Sequence, residues 1–170
     1  MKDKEFNLIL KDIITNKTVL EMKKYNQHYN TSCFDHCYQV SYMCYKLGKK
    51  LKLDYKSLAV GAMLHDLFLY DWRVRQPGRK GFHAFTHGKR ALDNANKLFK
   101  LNYIEQDMIL NHMWPLTLRI PKTKECFLLT IIDKYSAFLE IKKGIILSLE
   151  KNYYIKYASV MYILLINHLY

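Results

Sequence analysis

The sequence predicts an all-α fold. Apolar residues return every three to four positions in almost every patterned segment, and the alternation bounded by turns that marks a strand is absent. Two segments, TVLE (18–21) and SCFD (32–35), place an acid three residues after Thr or Ser, the pair that satisfies the first free amides of a helix.

Helices are expected at about 3–15, 19–28, 33–49, 55–69, 86–99, 103–113, 124–143 and 152–168. The first, in MKDKEFNLILKDII, keeps charges through the positions where a signal peptide needs an apolar centre. The second follows TVLE near Val19, and the third follows SCFD near Cys33. On the third, Cys33, Cys37 and Cys44 form a stripe of small apolar residues and read as reduced thiols. The fourth carries a Leu58–Ala62 stripe, and the fifth sets Ala91, Asn94 and Leu98 on one face. The sixth starts at NYIE (102–105) with Asn as the cap and carries Ile104 and Met108. The seventh holds CFLLTIIDKYSAF, with Leu129, Thr130 and Ala137 on one face. The eighth contains YASVMYILLI (157–166), too short for a bilayer span of about 20 residues, and reads as a buried C-terminal helix.

Two connections stand out. YDWRVRQPGRKGFHAF (70–85) is long and rich in Arg and Lys, as functional loops often are. WPLTLRIP (114–121) is bracketed by prolines. With no repeat, linker or low-complexity tract, residues 1–170 read as one compact multi-helix domain. The absence of a long apolar run excludes a membrane partner and points to the cytoplasm. No CxxC pair occurs and Cys126 stands alone, so a cysteine zinc site is not expected. An excess of 27 Lys and Arg over 15 Asp and Glu favours an anionic partner. These cations are scattered, so a nucleic acid is not the expected one.

Five of the helices each send a histidine or carboxylate inward. His36 lies one turn past Ser32 and shares a face with Val40, Met43 and Leu47. His65 and Asp66 extend the Leu58–Ala62 stripe, His87 opens the fifth helix, and His112 continues the Ile104–Met108 stripe. Asp133 interrupts an apolar run. A single inward histidine is more often a satisfied core residue. Together the six read differently, because Asp66 and Asp133 have no cation at helical spacing on their buried faces, and a buried carboxylate must be paired or bound to metal. Four imidazoles and two carboxylates suit two divalent first-row ions with an aspartate between them.

The order His36, His65-Asp66, His87, His112, Asp133, with FTHGKRAL, ILNHMW and DKYSAF around its later members, resembles the dinuclear type of the HD-domain superfamily of metal-dependent phosphohydrolases. The resemblance covers about residues 28–143, leaving flanking helices at both ends. It implies one metal held by His36, His65, Asp66 and Asp133, a second held by His87, His112 and the shared Asp66, and iron or manganese as the ions. It implies hydrolysis of a phosphate ester or anhydride of a small phosphorylated substrate, nucleotide-like in kind, by a metal-bridging hydroxide. The doublet continues as HDLFL, without the Gly-Lys that many members carry there, and NHMWP lacks the signature of the cyclic dinucleotide hydrolases.

Beside Asp66, His28 and Lys134 are the catalytic candidates, and Arg73, Lys89 and His83 the substrate-binding ones. His83, in the loop, also reads as a plain surface residue. Tyr70, Trp72, Phe82, Phe85 and Trp114 flank the proposed site and are expected to fill core before stacking a base. Two other readings use the same residues: an HD-type diiron oxygenase, separated by oxygen uptake, and a non-catalytic nucleotide-binding module, separated by binding without product.

Overall fold

The computed structural model describes residues 3–28, 31–74 and 81–169, without the side chains of His28 and 158–169. Among these residues are seven α-helices and one two-stranded sheet. α1 (Lys4–Ile14) starts where the Asp3 carboxylate accepts from the Glu5 amide, and it buries Phe6, Leu10 and Ile13 along one face. Glu5 then accepts from Lys49 Nζ (2.6 Å) and the hydroxyls of Tyr45 (2.8 Å) and Tyr55 (2.9 Å). These donors, Lys49 first, hold its carboxyl down at about 2.

The helix expected at 19–28 does not form. The Asn16 side chain accepts from the amides of Thr18 (2.9 Å) and Val19 (3.3 Å), which starts α2 (Lys17–Leu20) ahead of the TVLE box. The chain then tightens into a 3₁₀ segment, Glu21–Lys24, and extends as β1 (Asn26–His28), antiparallel to β2 (Thr31–Ser32). This hairpin corrects the expectation of a strand-free chain. The Cys33 amide donates to Tyr25 O (2.7 Å), so backbone groups find partners across the turn and not along a helix.

α3 (Cys33–Leu51) begins where SCFD predicts. Ser32 Oγ accepts from the Asp35 amide (3.1 Å) and donates to Asp35 Oδ2 (2.6 Å). α4 (Tyr55–Leu64), capped by Asp54, packs along α3 and stops short of the expected residue 69, which leaves His65 and Asp66 at and beyond its end. α5 (His83–Leu98) starts three residues earlier than the sequence suggests. α6 (Tyr103–Asn111) has both halves of its capping box, Asn102 Oδ1 to the Glu105 amide and Glu105 Oε2 to the Asn102 amide, each 2.9 Å. α7 (Lys124–Leu169) is one continuous helix where two were expected, about 69 Å long at about 1.5 Å per residue. Between the two expected helices, GIILSLEK holds no proline, and Gly144 alone does not stop it.

One apolar core gathers around Phe6, Tyr45 and Leu64, and a second joins α3, α4, α6 and α7 around Val40, Leu58, Met108 and Leu129. Asp107 fixes the entry of α7. Its buried carboxylate accepts from the amides of Lys122 (3.0 Å) and Thr123 (2.9 Å) and from Thr123 Oγ1 (2.8 Å), setting the register that turns Asp133 inward. Among the described residues no helix is long and apolar enough to cross a membrane.

Candidate metal centre

The fold brings His36, His65, Asp66, His87, His112 and Asp133 together, all buried. His65 caps α4, and its Nδ1 lies 2.7 Å from Ala62 O. A carbonyl only accepts, so Nδ1 carries the hydrogen and the Nε2 of the neutral ring carries the lone pair. That atom sits 3.4 Å from Asp66 Oδ2 and 3.5 Å from Asp133 Oδ1, without a hydrogen bond. His87 and His112 repeat the arrangement. Their Nδ1 atoms face His83 O (2.9 Å) and Ile109 O (3.0 Å), while their Nε2 atoms approach each other at 2.9 Å. Two lone pairs at that distance repel unless a proton or a cation lies between or beside them.

Asp66 stands between the two histidine groups. Oδ2 faces His65 and accepts from Gln27 Nε2. Oδ1 lies 3.3 Å from His87 Nε2 and 3.6 Å from His112 Nε2 and accepts no hydrogen bond among the described residues. Asp107 shows what a carboxylate buried for structure alone looks like in this chain: donors converge on it from backbone and hydroxyl. Asp66 has no such set, and a buried charge left short of partners costs several kcal/mol. The orphaned oxygen and the converging lone pairs fit a cation. The donor atoms fall into two groups, His36 with His65 and Asp66, and Asp66 with His87 and His112, each within 4.8 Å of one another. Nitrogen and carboxylate donors of this kind suit divalent transition metals.

In the absence of metal, protons supply part of the charge. Burial opposes the imidazolium of His36, but Asp133 and Glu140 raise its pKa well above the usual histidine value. His65 is raised likewise against burial, chiefly by Asp66. His112 is pushed down to about 3 by burial and by His65 and His87, and it stays neutral. Burial pushes Asp66 up, but the imidazoles, His65 first, hold it at about 2.

Residues 33–137 match the family model of the HD domain. The chain belongs to the HD domain family. That places it in a superfamily of metal-dependent phosphohydrolases. No curated protein and no solved structure matches it.

The HD centre opens onto a cleft of about 320 Å³. Asp66, His87, His112 and Asp133 form its floor, and Gln27, Trp72, His83, Met113, Leu116 and Lys134 its walls. Lys134 Nζ donates to His112 O (3.2 Å), and burial lowers its pKa. His83, a candidate from sequence, stands in this wall and not on an outer surface. Its ring stacks on His87 (4.5 Å, 19°) and on Trp72 (5.5 Å, 18°), and Nδ1 lies 2.9 Å from the Tyr70 hydroxyl.

Other candidates lie elsewhere. Arg73 is exposed, its guanidinium bound to Asp71 through Nε (3.0 Å) and Nη2 (2.8 Å), and Lys89 pairs with Asp93 on the outer side of α5. Neither lines the described cleft. Each is within reach of an acid close in sequence, and that local pairing takes the cation. His28 ends β1, but its side chain lies outside the described residues, as do Arg75, Arg79 and Lys80. Tyr70 and Trp72 pack as expected, whereas Phe82 and Phe85 face solvent, because α5 starts early and turns both outward.

Two residues escaped the sequence reading. Glu140 Oε1 lies 2.9 Å from His36 Nδ1, opposite the edge that meets Asp133 Oδ1 at 3.0 Å. Its place seven residues after Asp133, two turns along the same face, was the available signal. Gln27 precedes a histidine but has no periodic mark, and only the hairpin carries it to Asp66.

Proposed function

We propose that this HD domain hydrolyses a phosphate ester or anhydride of a small, nucleotide-like substrate, with two divalent metals, iron or manganese, as cofactors. The observation that carries the reading is the position of Asp66, one oxygen toward each histidine group. His36, His65, Asp66 and Asp133 would hold one ion, and His87, His112 and Asp66 the other. Bound there, the metals lower the pKa of a water and neutralise phosphate oxygens.

The chain's own residues do the rest. The backbone carbonyls at Ala62, His83 and Ile109 fix three imidazoles with Nε2 inward, and Glu140 orients the fourth. Lys134, in the cleft wall with a lowered pKa, is the cation placed to meet substrate oxygen and to protonate a leaving group. Trp72, Met113 and Leu116 offer an apolar wall to the rest of the substrate, and a cleft of about 320 Å³ suits a small molecule. The one-domain, cytoplasmic reading stays part of the proposal. Four free, buried thiols support the compartment.

The test is hydrolysis of a panel of nucleotides and phosphomonoesters under nitrogen, with Mn²⁺ or Fe²⁺ added to metal-stripped protein. Metal-dependent phosphate release is expected, and Asp66→Ala abolishes it with the helical circular dichroism unchanged. Turnover that requires oxygen would replace this reading with an oxygenase, and tight nucleotide binding without product would replace it with a binding module.

A further inference from the structure

Gln27 is 8% exposed, and its amide is only half used. Nε2 donates to Asp66 Oδ2, while Oε1, also buried, accepts from nothing among the described residues. The amide cannot be turned round, because Oε1 would then face a carboxylate, acceptor against acceptor. A buried carbonyl oxygen without a donor calls for one. Gln27 is among the residues that line the cleft, together with Asp66, Asp133 and Lys134.

We infer that Gln27 orients the attacking water of this site, donating through Nε2 to the shared carboxylate and accepting through Oε1 a hydrogen bond from a water held beside it. One proton of that water then points at Gln27, and a lone pair is left to face the cleft, where the phosphorus of the substrate arrives. An amide is not basic, so Gln27 removes no proton. It is a positioning residue that sets direction. The inference rests on the hydrolase reading for its kinetic part and on the geometry of Gln27 and Asp66 for its water.

The full chain and its Gln27→Leu and Gln27→Asn variants are loaded with Mn²⁺ and compared in three readouts. These are Mn²⁺ stoichiometry by calorimetry, water-proton relaxation by the bound Mn²⁺, and kcat and KM for p-nitrophenyl phosphate. Gln27→Leu is expected to keep both ions, to change the water relaxation, and to lose kcat by about 10- to 100-fold with KM moved less than about threefold. Gln27→Asn, which keeps the amide donor and acceptor on a shorter arm, recovers part of both effects. Unchanged relaxation in Gln27→Leu, or an asparagine variant no better than the leucine one, overturns the assignment. If the parent chain hydrolyses no phosphate ester, the hydrolase reading fails and relaxation alone judges Gln27. Gln27→Met takes the place of the leucine variant if that one does not fold.

Discussion

Glu140 and His36 meet at 2.9 Å although 104 residues separate them, and the contact fixes which way the imidazole faces. With Glu140 Oε1 on Nδ1, Nε2 is left for the site that Asp133 shares. Glu140→Ala is expected to weaken Mn²⁺ binding by about 10- to 100-fold, the usual cost of losing the partner of a metal-bound histidine. Calorimetric titration reads this, and Glu140→Gln, which still accepts at Oε1, falls between the variant and the parent.

Metal binding and pH are linked with a definite sign. Asp66, held at about 2 against 3.8 for a free aspartate, contributes stability that is complete above pH 3.8 and is lost as pH falls toward 2. His36 and His65 are raised, so their contribution is complete below pH 6.5 and is lost as pH climbs through their higher folded values. His112, held neutral down to about 3, works the other way and costs stability as pH falls below 6.5, so metal-free protein is stabilised most by this cluster near pH 6.5. Metal must displace the same two protons, so added Mn²⁺ raises Tm more at about pH 8 than at about pH 5. Thermal melts with and without Mn²⁺ check both directions.

Gly88 is where α5 and α6 come close enough for His87 to meet His112. A Cβ there would stand 3.0 Å from the carbonyl oxygens of Ile109 and Leu110, backbone atoms that do not swing away. Gly88→Ala should cost about 1–3 kcal/mol in denaturant melts and part the two histidines. Bound Mn²⁺ per chain, measured by elemental analysis, should drop before the His36 side loses its ion.

Asp107 makes the contrasting case. Asp107→Ala strands the amides of Lys122 and Thr123 and loosens the start of α7, at an expected cost of about 2–4 kcal/mol. The Asp107 carboxylate is committed to those donors, so the variant that still folds retains Mn²⁺ binding through its six unchanged side chains. A chemical melt beside a metal titration separates this behaviour from that of Asp66→Ala.

Much of the site was legible because it follows helical periodicity. His36, Asp133 and the HD doublet announce themselves as polar breaks in apolar faces, and local rules placed the starts of α3 and α6 at Ser32 and Asn102. The reading failed where two local signals compete. Asn16 took the cap from Thr18, and α7 ran on through 144–151 because no residue there stops a helix firmly. Arg73 and Lys89, read as substrate-binding from the sequence, pair in the structure with Asp71 and Asp93.

The sequence by itself determined the helical class and the six side chains that converge, since spacing along a helix dictates which face each residue occupies. Only the tertiary structure decided that Asp66 lies between two groups of histidines, that Glu140 and Gln27 stand behind them, and that His83 joins the wall. Those are contacts between segments far apart in the chain, and no periodicity encodes a distance across a fold.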